Sequence, residues 1–281
     1  MPRHRTRTAR GTIAVATLAA ALAACASRVA NPSPEPQPTG PSIATAIAAT
    51  TQPTAVPSPS PFAFDRNPAP IVQGTPYTQT IDPASFVDRI DNPFFPLPSG
   101  ASWSYSGDED VEVKVLDDVK VILGVHVTVV SDRVLLHGEL AEDTRDWFAQ
   151  DRQGNVWYFG EQTAEYENGK VTTTEGSWEA GVKGAVPGIV MLADPRAGDS
   201  YRQEYLRGDA EDLAEVTALS GSVTVGAGSW SGADVLVTEE WTPLEPDVRE
   251  QKLYVRGVGL VQSKAIKGPK ELVTLQAFVL P

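Results

Sequence analysis

The chain is poor in the residues that build most metal and redox sites. It has one cysteine, Cys25, which excludes a disulfide framework and any cysteine-based zinc site. Of its three histidines only His126 and His137 lie beyond the first few residues, so a multi-histidine metal centre is not available. Basic residues are also scarce. The 23 Lys+Arg face 36 Asp+Glu, a net charge of −13, and phosphate backbones need clustered cations, so nucleic acid is excluded as a partner. No apolar run approaches the ~20 residues that cross a bilayer as a helix. No G-x-S-x-G elbow occurs; Gly228-Ser229-Trp230-Ser231-Gly232 has Trp at its centre. The acids are too many for any one pair to signal glycoside hydrolysis. The sequence therefore gives no reason to expect an enzyme.

What is present begins with a targeting signal. Arg3, Arg5, Arg7 and Arg10 precede an uncharged run from Thr12 to Ala24, the pattern of a basic n-region and an apolar h-region. The run ends in Leu22-Ala23-Ala24-Cys25, which resembles the lipobox of bacterial lipoproteins. That resemblance implies that residues 1–24 are removed and that Cys25 is acylated, giving a stable membrane anchor. Removal of four arginines and no acid takes the net charge from −13 to −17. Anionic headgroups repel such a domain, so the acyl chains must hold it and the rest stands off.

Residues 25–76 read as the stand-off. They hold 12 of the 23 prolines, with much Ser, Thr and Ala and almost no charge. Such a composition buries too little apolar surface to fold and favours extended polyproline II. At ~3.1 Å per residue the tether reaches on the order of 100 Å. It reads as a plain spacer, although Ser and Thr beside Pro also suit a glycosylated stalk.

From Tyr77 to Pro281 the composition shifts, and all six tryptophans lie here. Asp82-Pro83 marks a short helix through Phe86 and Ile90, ended by Asn92-Pro93. Thereafter the period is two: Val111, Val113 and Val115, then Val125, Val127 and Val129, alternate with polar residues. Turns are expected at Gly107-Asp108, Asp117-Asp118, Gln153-Gly154-Asn155, Asn168-Gly169 and Gly226-Ala227-Gly228. Residues 211–219 fit a strand or a helical turn. The expected fold is mainly β: a single antiparallel curved sheet, open barrel or sandwich of about ten to twelve strands, with one short N-terminal helix.

Four regions are candidates for binding. The stretch Gly176–Gly198 has five glycines, two prolines and neither period; it is expected to plug one end of a barrel or to act as a movable lid, with Ile189 and Met191 as its apolar contacts. Asp146–Glu161 reads as a hairpin carrying Trp147 and Trp157, with Trp178 nearby in sequence. The strand Tyr201–Tyr205 sets Tyr201 against Arg202 and Glu204; Arg202 paired with Glu204, Glu211 or Asp212 would be a polar site or a rim salt bridge. The acidic loops with Asp151 and Asn155, and with Glu211 and Asp212, are weak Ca²⁺ candidates, because none has the spacing of a calcium loop. Calcium is the one cofactor the sequence leaves open.

The stretches DNPFFPLPSG (91–100), DTRDWFAQDRQGNVWYFGE (143–161), GSWEAGVKGAVPGIVM (176–191), YRQEY (201–205), TPLEP (242–246) and RGVGLV (256–261) together resemble a family of bacterial secreted proteins and lipoproteins. That resemblance implies export and carries no catalytic residue. RGVGLV is also similar to curved-sheet domains of the lipoprotein-carrier type. The expected function is binding of a lipid or other apolar ligand. The alternative is an envelope interaction or structural module, whose loops meet calcium, glycan or protein.

Overall fold

The computed structural model describes Gly74 and residues 76–281; the signal, Cys25 and all but the last residues of the tether lie outside these. Asp82 caps a helical turn as expected, its side chain accepting from the Ala84 N–H, but only Pro83–Ser85 is helical and the turn is 3-10. Phe86–Val87 (β1) leaves it as a strand paired with Asp151 and Gln150. The wider contact wins: the Phe86 ring packs edge-on against Trp157 and Phe159, at 6.1 and 5.5 Å between centroids.

The alternating valines then build a long meander. Ser102–Gly107 (β2), Asp110–Ile122 (β3), Val125–Leu136 (β4), Glu139–Asp151 (β5) and Val156–Glu167 (β6) follow one another as antiparallel neighbours. Val111, Val113 and Val115 are buried and Glu112 and Lys114 exposed, the alternation of a sheet with one wet face. Asp117-Asp118 is not a turn. It lies in an irregularity of β3, where the register with β4 shifts between Val115 and Val119, and the chain reverses instead at Leu123-Gly124, both at positive φ. Asn168-Gly169, at φ 52° and 71°, makes the expected tight hairpin to Lys170–Thr173 (β7).

The region expected as a plug or lid is neither. It forms Trp178–Glu179 (β8) and Val186–Met191 (β9), both paired to β6. Residues Pro187 to Met191 are all buried, and a strand covered on both faces has no alternation to read. The plug comes from DNPFFPLPSG. Phe95 reaches from Phe148 on β5 to Tyr254 on the far wall, and Asn92 ties this segment to the carbonyls of Gly154 and Leu192.

The remaining strands are Ser200–Arg202 (β10), Glu204–Tyr205 (β11), Leu213–Ala218 (β12), Gly221–Val225 (β13), Gly228–Gly232 (β14), Val235–Trp241 (β15), Arg249–Val255 (β16), Gly259–Lys267 (β17) and Leu272–Val279 (β18). Within residues 211–219, Leu213–Ala218 is thus a strand and no residue is helical. β13 and β14 form a small separate hairpin, and the other sixteen strands share one antiparallel sheet, more than the ten to twelve expected because short pieces pair at its margins.

The sheet runs β10-β12-β15-β16-β17-β18-β2-β3-β4-β5-β6-β9-β11. Its two ends, β10 and β11, are one stretch of chain broken only at Gln203. Residues Tyr201–Tyr205 therefore pair with β12 on one side and β9 on the other and bring the sheet nearly to a closed barrel. This seam depends on Gly188. A Cβ there would sit 2.3 Å from the Gln203 carbonyl carbon and 2.5 Å from the Arg202 oxygen, both backbone atoms that cannot turn aside. Gly188→Ala is expected to cost about 2 kcal/mol by forcing the seam apart. Urea unfolding checks this, and a loss below ~0.5 kcal/mol means the seam is slack.

Candidate functional site

Strand alternation sends one set of side chains into the barrel. On β5 and β6, Phe148 faces Tyr158, Asp146 faces Glu161, Thr144 faces Thr163 and Glu142 faces Glu165. From the plugged end outward these rungs run from aromatic to acidic. Phe148 and Tyr158 stack at 5.0 Å, and Trp178 stands edge-on to Tyr158 at 5.3 Å. Asp146 is fully buried, whereas Glu142 and Glu165 at the other end meet solvent.

The opposite wall is also charged inside. Lys252 on β16 is 2% exposed and pairs with Glu240 on β15 at 2.8 Å, with Glu250 further off at 3.7 Å. Thr238 and Tyr254 donate hydroxyls to the same Glu240 carboxylate at 3.0 and 3.1 Å. The seam adds Tyr201, Glu204 and Asp212, all buried. Tyr254 feels the fields of both Tyr201 and Tyr105, which come from different sides of the sheet, so these groups face one shared interior.

Charge in that interior is unbalanced. Lys252 matches Glu240 and Glu250, and among the described residues Asp146, Glu161, Glu204 and Asp212 form no ion pair. Burial pushes Asp146 well up from the usual carboxylate range, and the charge of Asp132 adds to it. Glu161 goes the same way, by burial of its carboxyl and then by Asp146 and Glu204. Glu204 is pushed up to about 8 by burial, tempered by the Trp178 side chain and the Asp212 backbone. The Trp178 N–H has no partner at ordinary hydrogen-bond geometry, so it points at Glu204 without fully satisfying it. Asp212 is raised by burial and by Glu204, with Lys252 opposing.

Several buried polar atoms here have no partner. Asp146 accepts from the Tyr158 hydroxyl at 2.8 Å through Oδ1, but its Oδ2 receives nothing. The Tyr201 hydroxyl, Gln203 Oε1 and Asp212 Oδ1 are likewise unsatisfied. Each such atom costs about 1–3 kcal/mol when it is dehydrated without a bond.

The residues singled out from the sequence divide. Trp178, Tyr201, Glu204 and Asp212 converge on the interior. Trp147 lies outside under Lys120, whose ammonium stands 3.2 Å from the ring centroid. Trp157 is on the face of β6 opposite Tyr158, covered by Phe86, with Ile189 its register partner; Met191 pairs with Val156. Arg202 does not pair with Glu204. The bend at Gln203 turns Arg202 toward the Tyr205 and Tyr77 rings, at 4.9 and 5.8 Å, where Glu211 supports its charge. Glu211 accepts from the N–H groups of Gly74 and Gly208 and so fastens the end of the tether to the seam.

Asp151 and Asn155 form a closed turn. The Asp151 carboxylate accepts from the Gln153 and Asn155 N–H groups, from the Asn155 amide and from Trp157 Nε1, which uses its four acceptor positions. Asn155 Oδ1 is taken by the Ala193 N–H. Among the described residues no group of three His, Cys, Asp or Glu side chains is placed to hold a metal ion. Four tryptophans are buried and none of the six is fully exposed, so they form no open stacking patch for a glycan.

Asp146, Glu161, Glu240 and Lys252 were not singled out from the sequence. A signal existed: alternation through DWFAQD puts Asp146 on the face of Phe148, and through EQKLYV it puts Lys252 on the face of Tyr254. Whether that face is the inner one is fixed only by closure.

No protein-family model and no curated protein matches the chain. Two solved structures are similar to it. A protein from Bacteroides fragilis, described as exported and as having a YmcC-like fold, is 14% identical, covers 66% of this chain with 99% of its own length, and has a TM-score of 0.40. A protein from Parabacteroides distasonis, described as a lipoprotein, is 11% identical, with 67% and 99% coverage and a TM-score of 0.35.

Proposed function

We propose that this is an extracytoplasmic binding domain, tethered through Cys25, whose ligand sits inside the near-closed barrel. The observation that carries this reading is the set of buried, unsatisfied atoms facing one interior: Asp146 Oδ2, Asp212 Oδ1 and the Tyr201 hydroxyl. A polar occupant offsets their cost. The basic and apolar N-terminal segment and its single cysteine support export and anchoring. An acyl chain fits this interior less well than the aromatic residues alone suggest, because carboxyl groups beside it would gain no hydrogen bonds. The alternative of an envelope interaction module draws no support from the tryptophans, four of which are buried and none fully exposed.

Native mass spectrometry of the full chain, released from nonionic detergent micelles, tests the reading. The expected spectrum shows a non-peptide adduct that Glu204→Gln depletes. A bare polypeptide that also takes up no small molecule counts against it.

A further inference from the structure

Taking that reading as its starting point, we infer that the ligand is an aliphatic di- or polyamine, held between the carboxylates of Asp146, Glu161, Glu204 and Asp212 and the rings of Tyr158 and Trp178. Three observations point to this chemistry.

The first is charge. The four acids share one low-dielectric interior, and the ammonium of Lys252 is already committed to Glu240 and Glu250. An anion worsens that imbalance and a neutral lipid leaves it as it is, while a ligand with two ammonium groups relieves it. The acids also come in two pairs. Asp146 and Glu161 are directly opposed on β5 and β6, and Glu204 and Asp212 meet at the seam.

The second is the unmet hydrogen bonding. Asp146 Oδ2 and Asp212 Oδ1 are buried acceptors without donors, and an alkylammonium brings up to three donors and no acceptor. The residues outside the acid cluster agree, since Gln203 Oε1 is a third orphaned acceptor at the seam.

The third separates an organic cation from a metal ion. No three acidic side chains among the described residues are grouped closely enough for a metal. They are instead interleaved with aromatic rings, and Tyr158 and Trp178 stand edge to face beside Asp146 and Glu204. Spread carboxylates with π-faces between them suit a chain of ammonium and methylene groups. The half-exposed Glu142 and Glu165 lie at the solvent end of the same β5–β6 face, where they attract a cation toward Asp146 and Glu161.

The groups facing Glu204 are Glu161 and Tyr158 from β6, the Trp178 N–H from β8 and Asp212 across the seam; those facing Asp212 are Glu204, Glu240, Glu250 and Lys252; those facing Asp146 are Asp132, Glu161, Glu142, Tyr158 and Arg145. Of these only Lys252 and Arg145 are cationic, and Arg145 has the smallest influence on Asp146. Amine binding therefore requires the acids to give up protons, and acid weakens it.

The test is titration calorimetry of the full chain in nonionic detergent with putrescine, spermidine and CaCl₂ at ~150 mM salt, where binding to the acidic surface is largely screened. The expected result is saturable amine binding that weakens at least tenfold from pH 7.5 to pH 5. Its heat should vary with buffer ionisation enthalpy, because protons are released. Glu204→Gln and Asp146→Asn should each weaken it tenfold or more while remaining folded, and the surface variant Asp247→Asn should leave it unchanged. Calcium binding without amine binding overturns the proposal. So does amine binding that Asp247→Asn weakens as much as Glu204→Gln. A lipid or neutral adduct in the native mass spectrum with no amine binding overturns the ligand class and spares the binding-domain reading. A bare chain that takes up nothing overturns both.

Discussion

Replacing Lys252 with methionine is expected to destabilise the domain by about 3–5 kcal/mol at pH 7.5. The ammonium is 2% exposed and lies 2.8 Å from Glu240, which is itself 6% exposed. Removing it leaves Glu240 with only the Thr238 and Tyr254 hydroxyls, too little to hold an anion in that interior. The neighbouring acids make the loss worse, since Glu250 and Asp212 both add repulsion to the cluster that Lys252 serves. One control separates lost charge from lost packing. The double variant Lys252→Met with Glu240→Gln should regain most of the stability, because the carboxylate that Lys252 served is gone. Urea midpoints at pH 7.5 report both variants. A loss below ~1 kcal/mol at pH 7.5 would show that solvent reaches Glu240.

The second large effect is pH dependence without ligand. Glu204 titrates near 4.5 when unfolded and is raised to about 8 in the folded domain. Between those values the folded chain holds a proton that the unfolded chain has released, so the contribution is fully present below pH ~4.5 and is lost as pH rises toward 8. Glu142, raised to about 6, and Asp146, Glu161 and Asp212, all raised by burial, act in the same sense. Asp91, which its Gln150 and Arg89 partners lower, acts in the opposite sense only in stronger acid. Lys252 is raised above its ordinary value, so its contribution persists until alkaline pH. The domain should therefore be more stable at pH 5 than at pH 8 by on the order of 4 kcal/mol, or ~10 °C in melting temperature. Glu204→Gln keeps the shape and removes the titration, so it should flatten much of the slope and raise stability at pH 8. A melting temperature that rises from pH 5 to pH 8 would rule out a protonated interior.

The two effects have one origin, the use of a barrel interior for carboxylates. A barrel of this kind normally fills its inside with apolar side chains. Here that holds at the plugged end, where Phe95, Phe148 and Tyr254 meet. Further along, the same alternation that buries Val111 and Val113 buries Asp132, Asp146, Glu204 and Glu240. Such a departure from apolar filling is where function is expected, because it is costly to folding and must be offset by a partner or a ligand.

Much was legible in the sequence for local reasons. Alternation of β-branched residues over Val111–Val115 and Val125–Val129 gave antiparallel strands with one wet face, since the period of side chains along a strand is two. Asn168-Gly169 gave a hairpin, since both residues must adopt positive φ. The rest was decided by pairing. Phe86 became a strand residue and not a helical one because Trp157 and Phe159 are there to receive it. Val186–Met191 joined the sheet because β6 and β11 pair with its two edges, and burial of both its faces erases the alternation that would have announced it. The bend at Gln203 sent Arg202 and Glu204 to different surroundings, although two residues on a straight strand share a face. Above all, the sequence can state that Asp146 lies on the side of Phe148 and that Lys252 lies on the side of Tyr254. It cannot state that the two sides are the same interior, because that follows only when Tyr201–Tyr205 pairs with β12 on one side and β9 on the other.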